Sequence, residues 1–168
     1  MKKKLLIVSL VTVSILMSTG CNNNQTKKYT CKNNDSSDGI RYLTTYTIEL
    51  NNKKEPIKYI LKDGFGNYKD NEEAYKKFCE GLKKAEENNK TKYSKEDLTY
   101  TVTCDDKKKE AYYIVTYNLS NIKDKTEFRN INTEIEKYTK KDGTFDLDAW
   151  KEYFNTSESK KGHYDCDF

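Results

Sequence analysis

The residue pattern predicts an α+β fold: an antiparallel sheet with element order βββ-α-ββ-α-α-β, packed on one face by helices in a single compact domain. Three observations carry this. Apolar and polar residues alternate strictly along several short segments. Those segments come in pairs separated by polar turns. Between the pairs lie stretches whose apolar residues recur at helical spacing.

In order, Tyr29 and Cys31 stand two apart, so a short first strand turns both to one face. Asn33 to Gly39 reads as a loop by composition. From Arg41 to Leu50, Tyr42, Thr44, Tyr46, Ile48 and Leu50 share a face. Asn51 to Lys54 is a turn, after which Ile57, Tyr59 and Leu61 form the next inward set. Asp63-Gly64-Phe65-Gly66-Asn67 has turn chemistry and is expected to break that strand. Asp70 or Asn71 then caps a helix expected to run to about Asn88, with Tyr75, Phe78, Cys79, Leu82 and Ala85 inward and Gly81 as a weak point.

Leu98, Tyr100, Val102 and Cys104 alternate with threonines, the clearest strand in the chain. Asp105 to Lys109 turns it into a return strand carrying Ala111, Tyr113, Val115, Tyr117 and Leu119. Asp124 to Tyr138 has helical spacing and is ended by Gly143. Asp146 caps a last helix with Leu147, Trp150, Tyr153 and Phe154 inward. A terminal strand aligns Tyr164, Cys166 and Phe168.

Composition is compatible with this fold. Apolar residues make up only 35%, but 14 Tyr, 6 Phe and 1 Trp let aromatic rings build the core. Removing Lys2, Lys3 and Lys4 from the formal +4 leaves +1 on the remainder, with lysines and acids interleaved. Nucleic acid calls for a concentrated basic face, so a nucleic-acid partner is not expected.

The N-terminus carries an address. Three lysines precede Leu5 to Met17, thirteen residues in which only Ser9, Thr12 and Ser14 are polar. A spanning helix needs about 20 apolar residues, so this length fits a signal peptide instead. Its exit is Ser18-Thr19-Gly20-Cys21, followed by Asn22-Asn23-Asn24-Gln25. That exit resembles the lipobox of bacterial lipoproteins. It departs from the family pattern at Ser18, where leucine is preferred. The resemblance implies removal of residues 1–20 and a diacylglycerol-type lipid on Cys21. It also implies a polar tether over 21–27 and a domain over 28–168, held at the extracytoplasmic face of the cell membrane. Apart from that covalent lipid, no cofactor is expected.

Cysteine arithmetic agrees. Of five cysteines, lipidation of Cys21 leaves Cys31, Cys79, Cys104 and Cys166, an even set. Each falls on the apolar side of its element. Outside the cytoplasm such cysteines tend to oxidise. Of three possible connectivities, Cys31–Cys166 with Cys79–Cys104 is preferred, tying the first strand to the last and the long helix to the strand after it. Zinc sites usually show close pairs of ligands, and the spacings here are wide.

The body also resembles a family. Tyr29-Thr30-Cys31 at the start, the tyrosine-rich meander, the threonine-rich strands, Tyr117-Asn118-Leu119-Ser120, Trp150-Lys151-Glu152-Tyr153 and the closing Tyr164-Asp165-Cys166 are similar to the YehR-like group of small bacterial lipoproteins. The resemblance implies a compact, sheet-based lipoprotein domain. It transfers no catalytic residues.

A search for chemistry returns little. His163 stands alone, with no neighbouring nucleophile in a recognised motif. No G-x-S-x-G, H-E-x-x-H or phosphate loop occurs. A calcium loop centred on Gly143 would place Tyr138, Lys140 and Ala149 at ligand positions, and one centred on Gly39 would close on Thr45 instead of Glu. The expectation is a non-catalytic binding or interaction module whose partner is an envelope protein or a small ligand. A small-ligand receptor of an importer and an envelope enzyme are the alternatives. A concave aromatic pocket with a few convergent polar groups would favour a ligand.

Overall fold

The computed structural model describes residues 26–33, 35–68, 71–122, 135–156 and 164–167. Eight strands are β1 (Lys27–Asn33), β2 (Ser36–Ser37), β3 (Ile40–Tyr42), β4 (Thr45–Leu50), β5 (Pro56–Gly66), β6 (Leu98–Asp105), β7 (Glu110–Tyr117) and β8 (Tyr164–Asp167). Among the described residues, besides a helical turn at 135–137, the helices are α1 (Glu72–Lys92) and α2 (Leu147–Asn155). All strand pairs are antiparallel. The sheet runs β8-β1-β4-β5-β7-β6, and β3 with β2 extends it beside the far end of β5. This is the expected α+β architecture.

Alternation sets which face is covered. The register places Tyr29, Ile48, Tyr59, Tyr117 and Leu98 in one row, and Cys166, Cys31, Tyr46, Leu61, Val115 and Tyr100 in the next. Both rows point to the same side. Two helical packs cover that side at different places. Over β1, β4 and β8, α2 inserts Trp150 and Phe154, both essentially buried. Trp150 meets Phe145 and Phe154 edge to face, with ring centroids 5.8 and 5.2 Å away. Over β6 and β7, α1 buries Tyr75, Cys79 and Leu82 against Ala111.

The helices begin where their caps dictate. The Asn71 side chain accepts from the Ala74 N–H at 3.0 Å, and Asp146 accepts from the Ala149 N–H at 3.1 Å. Four residues beyond the expected end, α1 stops at Lys92. There Lys90 pairs with Glu86, and Lys90 and Lys92 sit favourably at the negative end of the helix dipole. The Asn89 side chain donates to the Ala85 carbonyl at 2.8 Å, so it does not break the turn.

Two expectations are corrected. The loop from Asn33 to Gly39 contains β2, which pairs with β3 through a two-residue turn at Asp38 (φ 51°) and Gly39 (φ 77°). Positive φ at both positions is the Asp-Gly hairpin geometry. The break expected at Asp63 does not occur. Instead β5 continues to Gly66, because Asp63, Gly64 and Phe65 pair with Tyr113, Tyr112 and Ala111 of β7. Gly64 is required by that pairing: a Cβ there would lie inside contact distance of the Ala111 carbonyl and the Tyr112 Cα. A smaller adjustment is that Lys27, placed in the tether by sequence, already begins β1. Of the stretch from 124 to 138, residues 135–137 are helical and the rest before them lies outside the described residues. That helical turn ends at Tyr138, ahead of Gly143, which instead turns the chain between the bridged Thr139 and Phe145.

Candidate ligand pocket

The preferred cysteine pairing is the one found. Cys31 and Cys166 stand directly opposite on β1 and β8, with Cα atoms 4.1 Å apart, and are joined as a disulfide. The second disulfide joins Cys79 of α1 to Cys104 of β6, with Cα atoms 6.0 Å apart. The first fixes the edge strand β8. The second fixes α1 over β6. Only the second ties a helical pack to the sheet; between the two packs, among the described residues, part of the sheet face carries no helix.

Between the packs the sheet surface forms a cavity of about 640 Å³. Its floor is one row of residues crossing four strands and the link between β3 and β4. Tyr164 lies opposite Asn33. The Asn33 N–H donates to the Thr44 carbonyl at 2.8 Å. The Thr44 hydroxyl donates to Asp63 Oδ1 at 2.6 Å, and the Tyr113 hydroxyl donates to Asp63 Oδ2 at 3.3 Å. On this face the rows nearer the Tyr29 end are apolar, so the polar groups are concentrated where the helices leave the sheet uncovered. Tyr42, Tyr46 and Phe65 add ring walls, Leu61 adds an aliphatic patch, and Asp35 sits beside them.

The electrostatics follow from this placement. Burial, reinforced by the Asp63 carboxylate, pushes the Tyr113 phenol well above its ordinary range, so it remains a donor to Asp63. Burial also raises Tyr164, whose hydroxyl is hydrogen-bonded to Asn33 and Tyr46. Among the described lining residues there is no lysine, arginine or histidine. The cavity thus combines two carboxylates, several rings, and the Thr44 and Tyr113 hydroxyls already committed to Asp63.

A second depression of about 690 Å³ lies between the β2–β3 hairpin and the β6–β7 turn, lined by Ser36, Arg41, Asn67, Lys107 and Glu110. It has no ring in its lining, and Arg41 is already paired with Glu110.

Sequence reasoning found the four disulfide cysteines and missed this cavity. Asp63 was assigned to a turn, although Tyr59, Leu61, Asp63 and Phe65 continue one alternation. A carboxylate at inward parity in an apolar set was the available signal. Cys21 and His163 lie outside the described residues. The segment around Gly143 is a turn and a cap: Asp142 accepts from Thr144, and Asp146 caps α2. The Thr144 hydroxyl and N–H hold Asp142 below the usual carboxylate range. Among the described residues, no group of three or more His, Cys, Asp or Glu side chains is placed to hold a metal ion. No helix among them is long and apolar enough to cross a membrane.

No family model and no curated protein matches the chain. Among solved structures, it is similar to the NMR structure of a protein from Streptococcus pneumoniae TIGR4. The two are 16% identical with a TM-score of 0.44, over 80% of this chain and 84% of that one.

Proposed function

We propose that this chain is a lipoprotein, anchored through Cys21 to the outer face of a membrane, that presents a small-molecule binding pocket. The observation that carries the reading is the cavity over the Thr44–Asp63–Tyr113 row. At about 640 Å³ it falls within the size range of ligand sites. It is lined by rings and by convergent polar groups, and its Asp63 acceptor is held by two hydrogen bonds. The signal-like N-terminus and the even set of remaining cysteines support the address. In this reading the pocket binds without catalysis, and the two neutral donors position Asp63 as an acceptor for the ligand.

A second reading is favoured by one observation: Asp35 and Asp63 line the same cavity. Two carboxylates across a cleft can serve acid–base hydrolysis. Turnover of a glycoside that vanishes in both Asp35→Asn and Asp63→Asn would select it.

The test of the main reading uses the full chain in detergent micelles. A panel of amines, sugars, organic acids and short peptides is titrated while the aromatic resonances are followed. Binding should shift Tyr46, Phe65 and Tyr113 together. Hits that move only residues of the opposite sheet face would count against the pocket. In cells, Cys21→Ala should release the protein to the medium; a variant as firmly bound as wild type would remove the anchor from the account.

A further inference from the structure

We infer that the pocket, if it is a ligand site as proposed above, takes an alkylammonium ion, with its charged head on Asp63 and its hydrocarbon part against Leu61 and Phe65. Three features select a cation. The first is charge: the described lining holds Asp35 and Asp63 and no basic side chain. The nearby Lys62 lies on the other face of β5, where its Nζ sits 3.8 Å from the Tyr112 ring centroid. It therefore does not neutralise the site.

The second is hydrogen-bond capacity. A carboxylate offers about four acceptor positions. Asp63 uses one oxygen for the Thr44 hydroxyl and the other for the Tyr113 hydroxyl. Both donors are neutral, and acceptor capacity is left for a ligand N–H. The same bonds consume the donor protons of Thr44 and Tyr113. An anion or a carbonyl at Asp63 would meet a carboxylate whose two neighbouring hydroxyl donors are already engaged, whereas an ammonium needs only acceptors.

The third is the wall. Ring faces are attractive to cations within about 6 Å of the centroid. Tyr46 and Tyr113 flank Asp63 from neighbouring strands, and Phe65 follows it on the same strand face. An ammonium on Asp63 would have rings on several sides. The alkyl portion would then cover the sides of Leu61 and Phe65 that remain exposed in the cavity, each being only partly buried by the helical pack beside it.

The probe pair is hexylammonium and its neutral counterpart hexanol, titrated into the full chain in micelles of a neutral detergent, with the aromatic resonances as readout. Hexylammonium should shift Tyr46, Phe65 and Tyr113 saturably and bind about tenfold or more tightly than hexanol. Asp63→Asn keeps a side-chain oxygen and the shape of the site. It should cost hexylammonium about tenfold in affinity and leave hexanol unchanged. Equal affinities for the two probes in wild type would overturn the cation assignment while leaving the pocket standing, and that comparison does not depend on the variant folding. Unmoved pocket resonances with both probes would sink the assignment, and the same result across the whole panel would sink the pocket as well.

Discussion

The two disulfides should not contribute equally. Each constrains the unfolded chain in proportion to the logarithm of the loop it closes. Cys79 and Cys104 are 25 residues apart, and Cys31 and Cys166 are 135 apart. At 25 °C the loop-closure relation gives about 3.5 kcal/mol for the short loop and about 5 kcal/mol for the long one. The difference of about 1.5 kcal/mol is large against the marginal stability of a domain this size. The structure reinforces the order. Cys31 is fully buried, and among the described residues β8 is an edge strand paired with β1 alone. The assay is urea unfolding of two paired variants, Cys31→Ala/Cys166→Ala and Cys79→Ala/Cys104→Ala, which leave no orphan thiol from the removed bridge. Wild type should be most stable, the short-loop variant next and the long-loop variant last. A long-loop variant at least as stable as the short-loop one would refute the reasoning. So would thiols in the native protein that react without reduction.

Two glycines should respond in opposite directions. Gly64→Ala forces β7 away from β5 and should cost about 2–3 kcal/mol by urea midpoint, whereas Gly81→Ala, exposed on α1 with open space around it, should stabilise by about 1 kcal/mol. Alkaline pH should weaken the fold through its tyrosines. Tyr75 and Tyr117 are each pushed up to about 12, chiefly by burial, from the ordinary 10. The stability this contributes is full below pH 10 and is lost as pH rises through about 12, since the unfolded chain releases those protons first. Urea midpoints at about pH 9 and about pH 11.5 should fall while phenolate absorbance shows a late-titrating class; a midpoint that holds steady would argue against buried phenols.

What was legible in the sequence was local. The alternation of Leu98, Tyr100, Val102 and Cys104 with threonines specifies β6, and the Asp146 cap with apolar spacing at Trp150 and Phe154 specifies α2. The cysteine pairing was legible only as a preference: all four cysteines fall on the apolar sides of their elements, which leaves three connectivities open, and the register of β1 with β8 decides between them. The far end of β5 was not legible. Asp63-Gly64-Phe65-Gly66-Asn67 has turn chemistry by itself, and only the ladder to β7, about fifty residues on, keeps it extended. The pocket was hidden for the same reason. Asp63 gains its meaning from Thr44, 19 residues before it, and Tyr113, 50 residues after it. Asp38-Gly39 is a different case, a hairpin signal present in the sequence and read as loop.

The central claim is that the space over the Asp63 row receives a small molecule. Filling it is the most direct test. Leu61→Trp places an indole on the cavity floor, and thermal unfolding is then followed with each compound that raises the wild-type Tm. Binding to the native state raises Tm by an amount that grows with the logarithm of free ligand over Kd. The filled variant should fold, keep both disulfides and lose the ligand-induced rise; an undiminished rise in Leu61→Trp would place the ligand elsewhere on the molecule.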